Sequence, residues 1–183
     1  MNIDYITREV EAEVNPKRFA HILRVEEMAR RLAVRWNYDE ERAALAAVLH
    51  DYAKDVSDEE FRRRLKRGDY PEVFKDYGNE IWHGWIGADI VAEKFDIHDE
   101  EILNAIRRHT TGDTTMTLLD KIIFVADYIE EGRDLPEVEE ARRLAFVDLD
   151  AAVQLELANT INFLNKKGAR IFPLTQEVFD GKR

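Results

Sequence analysis

The sequence predicts an all-helical domain with no sheet. No segment alternates apolar and polar residues with period two over a useful length, and glycine and proline are few, at 8 and 4 in 183 residues. Apolar residues instead recur at helical spacing. The clearest stretch runs from Ala43 to Leu49, seven small or apolar residues with no polar face, the mark of a helix enclosed by protein. His50 and Asp51 follow it directly and Lys54 comes one turn later. Burying these groups unpaired would cost several kcal/mol, on the order of the stability of a whole domain. A divalent cation compensates them, because it takes neutral imidazole nitrogen and carboxylate oxygen as ligands.

The remaining elements follow in chain order. Residues 3 to 13 read as a short charged helix, and Asn15 caps the next, which opens on Pro16. On that helix His21, Val25, Met28 and Leu32 step by four, three and four, so His21 points inward. Taken alone it is more often a core histidine bonded to a carbonyl. Asp39 caps the central helix, and Ser57 with Glu60 forms a capping box for a third carrying Phe61 and Leu65. Gly68-Asp69-Tyr70-Pro71 closes that helix, and from there to Gly78 the pattern is weak, a short helix or an ordered loop.

A further helix starts at Trp82-His83, with Gly84 and Gly87 three apart as a strip for close backbone approach. His83 is either a functional group or a locally bonded helix-start residue. The helix over 99 to 108 places His109 on the face of Ile102 and Ala105. His109-Thr110-Thr111-Gly112 then reads as an anion-suited turn or an ordinary one. Thr117 and Asp120 cap Leu118 to Ile129, along which Asp120, Ile123 and Asp127 share a face. An inward Asp127 needs Arg133 or a metal as partner. Two helices, Pro136 to Asp148 and Leu149 to Lys167, are closed by Gly168, and a tail Arg170-Ile171-Phe172-Pro173-Leu174-Thr175 follows.

Composition narrows the chemistry. The absence of cysteine excludes disulfides, iron-sulfur clusters and thiolate zinc sites, so a metal must use His, Asp or Glu. A formal net charge of -11 argues against duplex nucleic acid, yet a few convergent cations can still make one cleft suit a phosphorylated ligand. No leader-like h-region or membrane-spanning stretch stands out, which predicts a cytoplasmic chain without membrane partners. With no internal repeat or linker, residues 1–183 are expected to form one domain.

Four of the five histidines, His21, His50, His83 and His109, fall on inward faces or beside glycine, each on a different helix. With the helix bearing Asp127 they could converge on one core pocket of the kind bundles use for metals. The second His-Asp pair, His98-Asp99, lies in a hydrophilic junction and serves as a cap without chemistry.

The order His21, His50-Asp51, His83, His109, Asp127 resembles the HD-domain metal-dependent phosphohydrolases, whose ligands follow H, HD, H, H, D. Arg18-Phe-Ala-His21, Leu49-His-Asp-Tyr-Ala-Lys54, His83-Gly-Trp-Ile-Gly-Ala88, His109-Thr-Thr-Gly112 and Leu119 to Ile129 followed by Arg133 are similar to the bacterial YqeK family, over nearly the whole chain. The resemblance implies a helical HD domain with a metal core over about 16–133 and C-terminal helices and tail over 134–183. It implies symmetrical hydrolysis of diadenosine tetraphosphate to two ADP, with iron as the metal ahead of manganese, cobalt, magnesium or zinc. Carried over, His21, His50, Asp51 and Asp127 are the metal ligands, and His83 and His109 are second-metal ligands or phosphate contacts.

A phosphoanhydride repels its nucleophile, so its hydrolysis needs charge neutralisation and a hydroxide near neutral pH, both of which a metal supplies. Lys54, Thr110, Thr111 and Arg133 are expected to hold phosphate oxygens. Asp120 and Lys121 would orient ligands, Lys121 being equally a surface ion pair. Arg18 and the tail from Arg170 to Thr175 are candidate nucleotide contacts. Other readings are a different HD-type nucleotide phosphatase or phosphodiesterase, or a helical regulator that binds nucleotide without turnover. A homodimer is left open.

Overall fold

The computed structural model describes residues 2–67, 70–134 and 136–181. Gly68 and Asp69, read above as the close of a helix, lie outside them. The described residues form helices α1 (Ile3–Glu13), α2 (Pro16–Arg35), α3 (Glu40–Leu49), α4 (Asp58–Leu65), α5 (Asn79–Phe95), α6 (Glu100–Arg108), α7 (Leu118–Ile129), α8 (Pro136–Ala145), α9 (Leu149–Lys167) and α10 (Pro173–Phe179). Short 3₁₀ turns stand at Tyr52–Asp55 and Glu72–Asp76, and there is no strand among the described residues. Among the described residues no helix is long and apolar enough to cross a membrane.

The boundaries follow local chemistry. Asn15 Oδ1 accepts from Arg18 N, Asp39 caps α3, Ser57 caps α4, and Thr117 and Asp120 cap each other's backbone at α7. Gly168, at φ 62°, ends α9 in the left-handed region that glycine enters without penalty. Three boundaries differ from the sequence reading. Helix α5 begins at Asn79, earlier than Trp82, on a Gly78 cap that has no side-chain acceptor to signal it; Glu80 Oε1 instead turns back to Gly78 N at 3.0 Å. Helix α8 ends at Ala145 because Asp148 leaves it to cap α9. The tail contains α10, opened by Pro173 at its first position.

Helix α3 sits at the centre, packed by α1, α2, α6 and α7, and Ala43, Ala44, Ala46, Ala47, Val48 and Leu49 are all buried. Small alanines let those neighbours approach, which is why α3 delivers His50 into a space ringed by α2, α6 and α7. A second apolar cluster of Phe61, Phe74, Trp82, Ile86 and Phe172 anchors α5 and the tail. Asn15 joins the start of α2 to the turn carrying Lys54, since its N and Nδ2 both donate to Asp55 Oδ2 at 3.0 and 2.7 Å.

The glycine strip on α5 is a site of close approach. A Cβ on Gly84 would stand 3.0 Å from Arg107 O, and one on Gly87 would stand 2.8 Å from Ala53 Cβ. Gly87→Ala gains about 1 kcal/mol of helix propensity but forces Ala53, the neighbour of Lys54, to move, at about 1–3 kcal/mol. The expected outcome is a net loss of stability with weakened turnover, read by thermal denaturation and steady-state rates; a stabilised, fully active variant would contradict this packing.

Candidate metal centre

The four inward histidines are oriented by the same device. His50 and His109 stand just past the ends of α3 and α6, where helix carbonyls lack intrahelical donors. His50 Nδ1 donates to Ala47 O at 2.6 Å and His109 Nδ1 to Ile106 O at 2.7 Å. Within α5, His83 Nδ1 donates to Asn79 O at 2.5 Å. His21 Nδ1 instead donates to Glu130 Oε1 at 3.3 Å. With every Nδ1 engaged as a donor, the neutral ring presents a bare lone pair at Nε2.

Those four Nε2 atoms converge. The rings form a row in the order His21, His50, His109, His83, with centroid separations of 5.5, 5.0 and 4.9 Å. His83 Nε2 and His109 Nε2 are 3.1 Å apart, and His21 Nε2 lies 3.1 Å from Asp127 Oδ1. Asp51 sits across the row, with Oδ1 3.3 Å from His83 Nε2 and 3.7 Å from His109 Nε2, and Oδ2 3.8 Å from His21 Nε2 and 4.0 Å from His50 Nε2. His50 Nε2 is fully buried and has no hydrogen-bond partner among the described residues.

Electrostatics follow from burial and crowding. Burial pushes His50 and His83 down to about 4, so both are neutral at pH 7, the form that ligates metal. For His21 burial acts the same way, but Asp127, Asp51 and Glu130 outweigh it and raise its pKa. Burial raises the carboxyls of Asp51 and Asp127, yet the surrounding imidazoles outweigh it and hold both below the ordinary carboxylate range. Lone pairs and carboxylates facing one another at 3–4 Å repel unless a cation lies among them, and an orphaned, buried imidazole nitrogen is costly. A divalent metal resolves both problems, and this donor set fits one: His21, His50 and Asp127 share one position, and His50, Asp51 and His109 another.

Cations crowd the rim. Arg18 Nη1 pairs with Asp51 Oδ2, Arg133 Nη2 donates to Asp127 Oδ1 at 3.0 Å, and Lys54 Nζ lies 3.1 and 3.2 Å from the two ring nitrogens of His83. Burial lowers the Lys54 pKa. A cavity of about 390 Å³ opens beside His21, and Lys17, Arg18, Arg24 and Arg133 line it against one carboxylate, Glu130.

A family model described as HD domain matches residues 18–132. The chain belongs to the HD domain family. The matched span contains all six of the converging His and Asp residues. Among relatives, proteins of Bacillus subtilis (strain 168) and Halalkalibacterium halodurans, each named "Bis(5'-nucleosyl)-tetraphosphatase, symmetrical", are both 42% identical; they cover 91% and 93% of this chain and 89% and 91% of their own lengths. A crystal structure from Clostridium acetobutylicum, described as a predicted HD superfamily hydrolase involved in NAD metabolism, superposes with a TM-score of 0.92 at 36% identity, over 99% of this chain and 96% of that one.

The HD centre thus brings together His21, His50, Asp51, His83, His109, Asp127, Lys54, Arg18 and Arg133. Other candidates sit elsewhere. Asp120 Oδ2 accepts from Thr117 N and Arg108 Nη1 at 2.8 and 2.6 Å, so it caps α7, and Lys121 pairs with Asp150 at 2.6 Å, the surface ion pair held open above. Thr111 is buried, its hydroxyl donating to Gly112 O and accepting from Trp85 Nε1. Thr110 Oγ1 is buried without a hydrogen-bond partner among the described residues. In the tail, Phe172 packs on Phe74 and Tyr77, Ile171 O accepts from Tyr77, Leu174 joins both apolar clusters and Thr175 is buried, while Arg170 is exposed. Pro173 and Leu174 line a separate apolar cavity with Phe74 and Trp85.

Sequence reasoning passed over Glu130. It is 2% exposed, orients His21 and binds Arg24 Nε and Gly132 N. Its only sequence signal was its place three residues after Asp127, and its side-chain partners His21 and Arg24 lie more than 100 residues away.

Proposed function

We propose that this HD protein is a metal-dependent phosphohydrolase that cleaves diadenosine tetraphosphate symmetrically, adding one water to give two ADP. The observation that carries the hydrolytic reading is the convergence of four imidazole lone pairs and two carboxylates beside a cation-lined cavity. The substrate reading draws support from the names of relatives that match nearly full length. Residues 1–183 act as a single HD unit in this reading, alone or as a homodimer in the cytoplasm.

His21, His50, Asp51 and Asp127 hold the metal, with His83 and His109 as second-metal ligands or phosphate contacts. A set of imidazoles and carboxylates without thiolate suits a borderline first-row ion, and iron is the proposed one. When bound, the metal supplies charge neutralisation and a hydroxide near neutral pH. Glu130 keeps His21 in the tautomer that offers Nε2, and the backbone carbonyls do the same for the other three rings. Lys17, Arg18, Arg24 and Arg133 draw the tetraphosphate into the cavity they line, Arg133 reaching it from beside Asp127. Lys54, buried against His83, holds oxygens of the phosphate that leaves and offsets its growing negative charge. Arg18 and the tail from Arg170 to Thr175 remain the proposed contacts to the rest of the nucleotide, with the tail acting through the Gly112 turn, where Val178 packs.

Protein purified without chelator should carry iron or a similar ion, and ADP should be the sole nucleotide product from diadenosine tetraphosphate. Chelation should lower thermal stability, since an ion present at 100 times its Kd and bound only to the folded state contributes about 2.7 kcal/mol. Finding AMP plus ATP would rule out symmetrical cleavage, and metal-free protein with full activity would sink the mechanism.

A further inference from the structure

A second cavity, of about 220 Å³, adjoins His109 and Asp127 and meets the basic one at Arg133. Its character is different. Thr110, Tyr128, Glu156 and Thr160 line it, and the hydrolytic mechanism uses none of Tyr128, Glu156 or Thr160. Glu156 lies on the inward stripe of α9 beside Val153 and Leu157, where an apolar residue is the ordinary choice. It is 6% exposed, and its Oε2 is buried with no hydrogen-bond partner among the described residues. Thr110 also lines this cavity, although its Oγ1 is turned toward Gly84 of α5 and away from Glu156. A buried carboxyl left unpartnered beside such a space is the mark of a ligand position, because a fold gains nothing by leaving it unsatisfied.

The chemistry of the lining selects the occupant. Polyphosphate would meet one guanidinium here, that of Arg133, already given to Asp127 at 3.0 Å, whereas the neighbouring cavity offers four cations. Burial also pushes the Glu156 carboxyl well above the ordinary carboxylate range, with Asp127 adding to the effect, so the group suits a neutral ligand. A wholly apolar ligand would leave the Glu156 carboxyl unsatisfied. A neutral group with hydroxyl or N–H donors remains, and the space is of the size of a sugar or base.

We propose that Glu156 is the centre of a subsite reading the sugar hydroxyls or base edge of the nucleoside whose phosphate sits at the metal centre, while phosphates beyond the cleaved bond occupy the basic cavity. This rests on the dinucleoside tetraphosphatase reading. It means that the two halves of a symmetrical substrate meet unlike surroundings, with one nucleoside read closely.

Calorimetry on the metal-loaded protein compares ADP with pyrophosphate, which lacks the nucleoside. ADP is expected to bind wild type about tenfold or more tightly, the worth of one to two hydrogen bonds. Glu156→Leu should erase that advantage, leave pyrophosphate affinity and metal per chain unchanged, and raise KM for diadenosine tetraphosphate with little change in kcat. Glu156→Gln, which still offers a donor and an acceptor, should retain the advantage. Should leucine impair folding, Glu156→Met fills the space with a more adaptable chain and is read identically. Dideoxyribose and purine-base analogues of ADP separate sugar from base: the analogue that loses affinity for wild type but not for Glu156→Leu identifies the group. Equal binding of ADP and pyrophosphate, or an advantage that survives Glu156→Leu, overturns the subsite. Loss of tetraphosphate cleavage in wild type would instead remove the reading beneath it.

Discussion

Replacing His50 by alanine is expected to abolish turnover and strip the metal, whereas His98→Ala leaves both nearly intact. The two residues stand in identical His-Asp pairs and differ only in where the helices put them. His50 is fully buried and its Nδ1 is fixed on Ala47 O; among the described residues its Nε2 has no protein partner and it belongs to both of the donor groups able to hold an ion. Under the proposed ligand set its loss removes a direct ligand, which should exceed the ~10–100-fold cost of removing an outer partner of a ligand. His98 has 82% of its side chain exposed and meets only Asp96, at 2.8 Å, while Asp99 caps α6. Substitution at such a position changes stability by about 0.5 kcal/mol or less. Metal per chain and steady-state turnover, measured side by side, decide the matter. If His98→Ala were as damaging as His50→Ala, the division into inward and outward faces would be wrong.

Glu130→Ala is expected to weaken metal binding ~10–100-fold, as the loss of a carboxylate behind a ligating histidine does elsewhere. Without Glu130, His21 Nδ1 loses its acceptor, and the ring is free to rotate or change tautomer. Stability should fall too, because Arg24 and Gly132 N lose their partner. That cost is expected at about 1–3 kcal/mol, below the ~3–5 of a fully buried pair, since the Arg24 side chain is 39% exposed and can rehydrate. Glu130→Gln keeps an acceptor for His21 and should recover much of the metal affinity but little of the Arg24 ion pair. Metal titration resolves the first effect, and denaturation with chelator present resolves the second. Unchanged metal affinity in Glu130→Ala would show that His21 needs no support from behind.

Much of this was legible in the chain because it depends on neighbours within a turn or two. Helix starts at Asn15, Asp39, Ser57 and Thr117 announce themselves by an acceptor two or three residues before an unsatisfied N–H, and Gly168 by its tolerance of positive φ. Periods of three and four fixed the inward faces of His21, His109 and Asp127, and the apolar run of α3 fixed that of His50. Helix α5 was read late because Gly78 caps it without a side chain, and α10 was missed because a proline-led segment of seven residues has too little periodicity to show.

Tertiary structure alone decided which polar groups meet. No local rule could pair Glu130 with His21 and Arg24, commit Asp120 to Arg108, or leave Glu156 facing a cavity instead of the apolar core, because these depend on distances between helices far apart in sequence. Periodicity tells a residue that it faces inward; what waits there is set by the packing of the other helices.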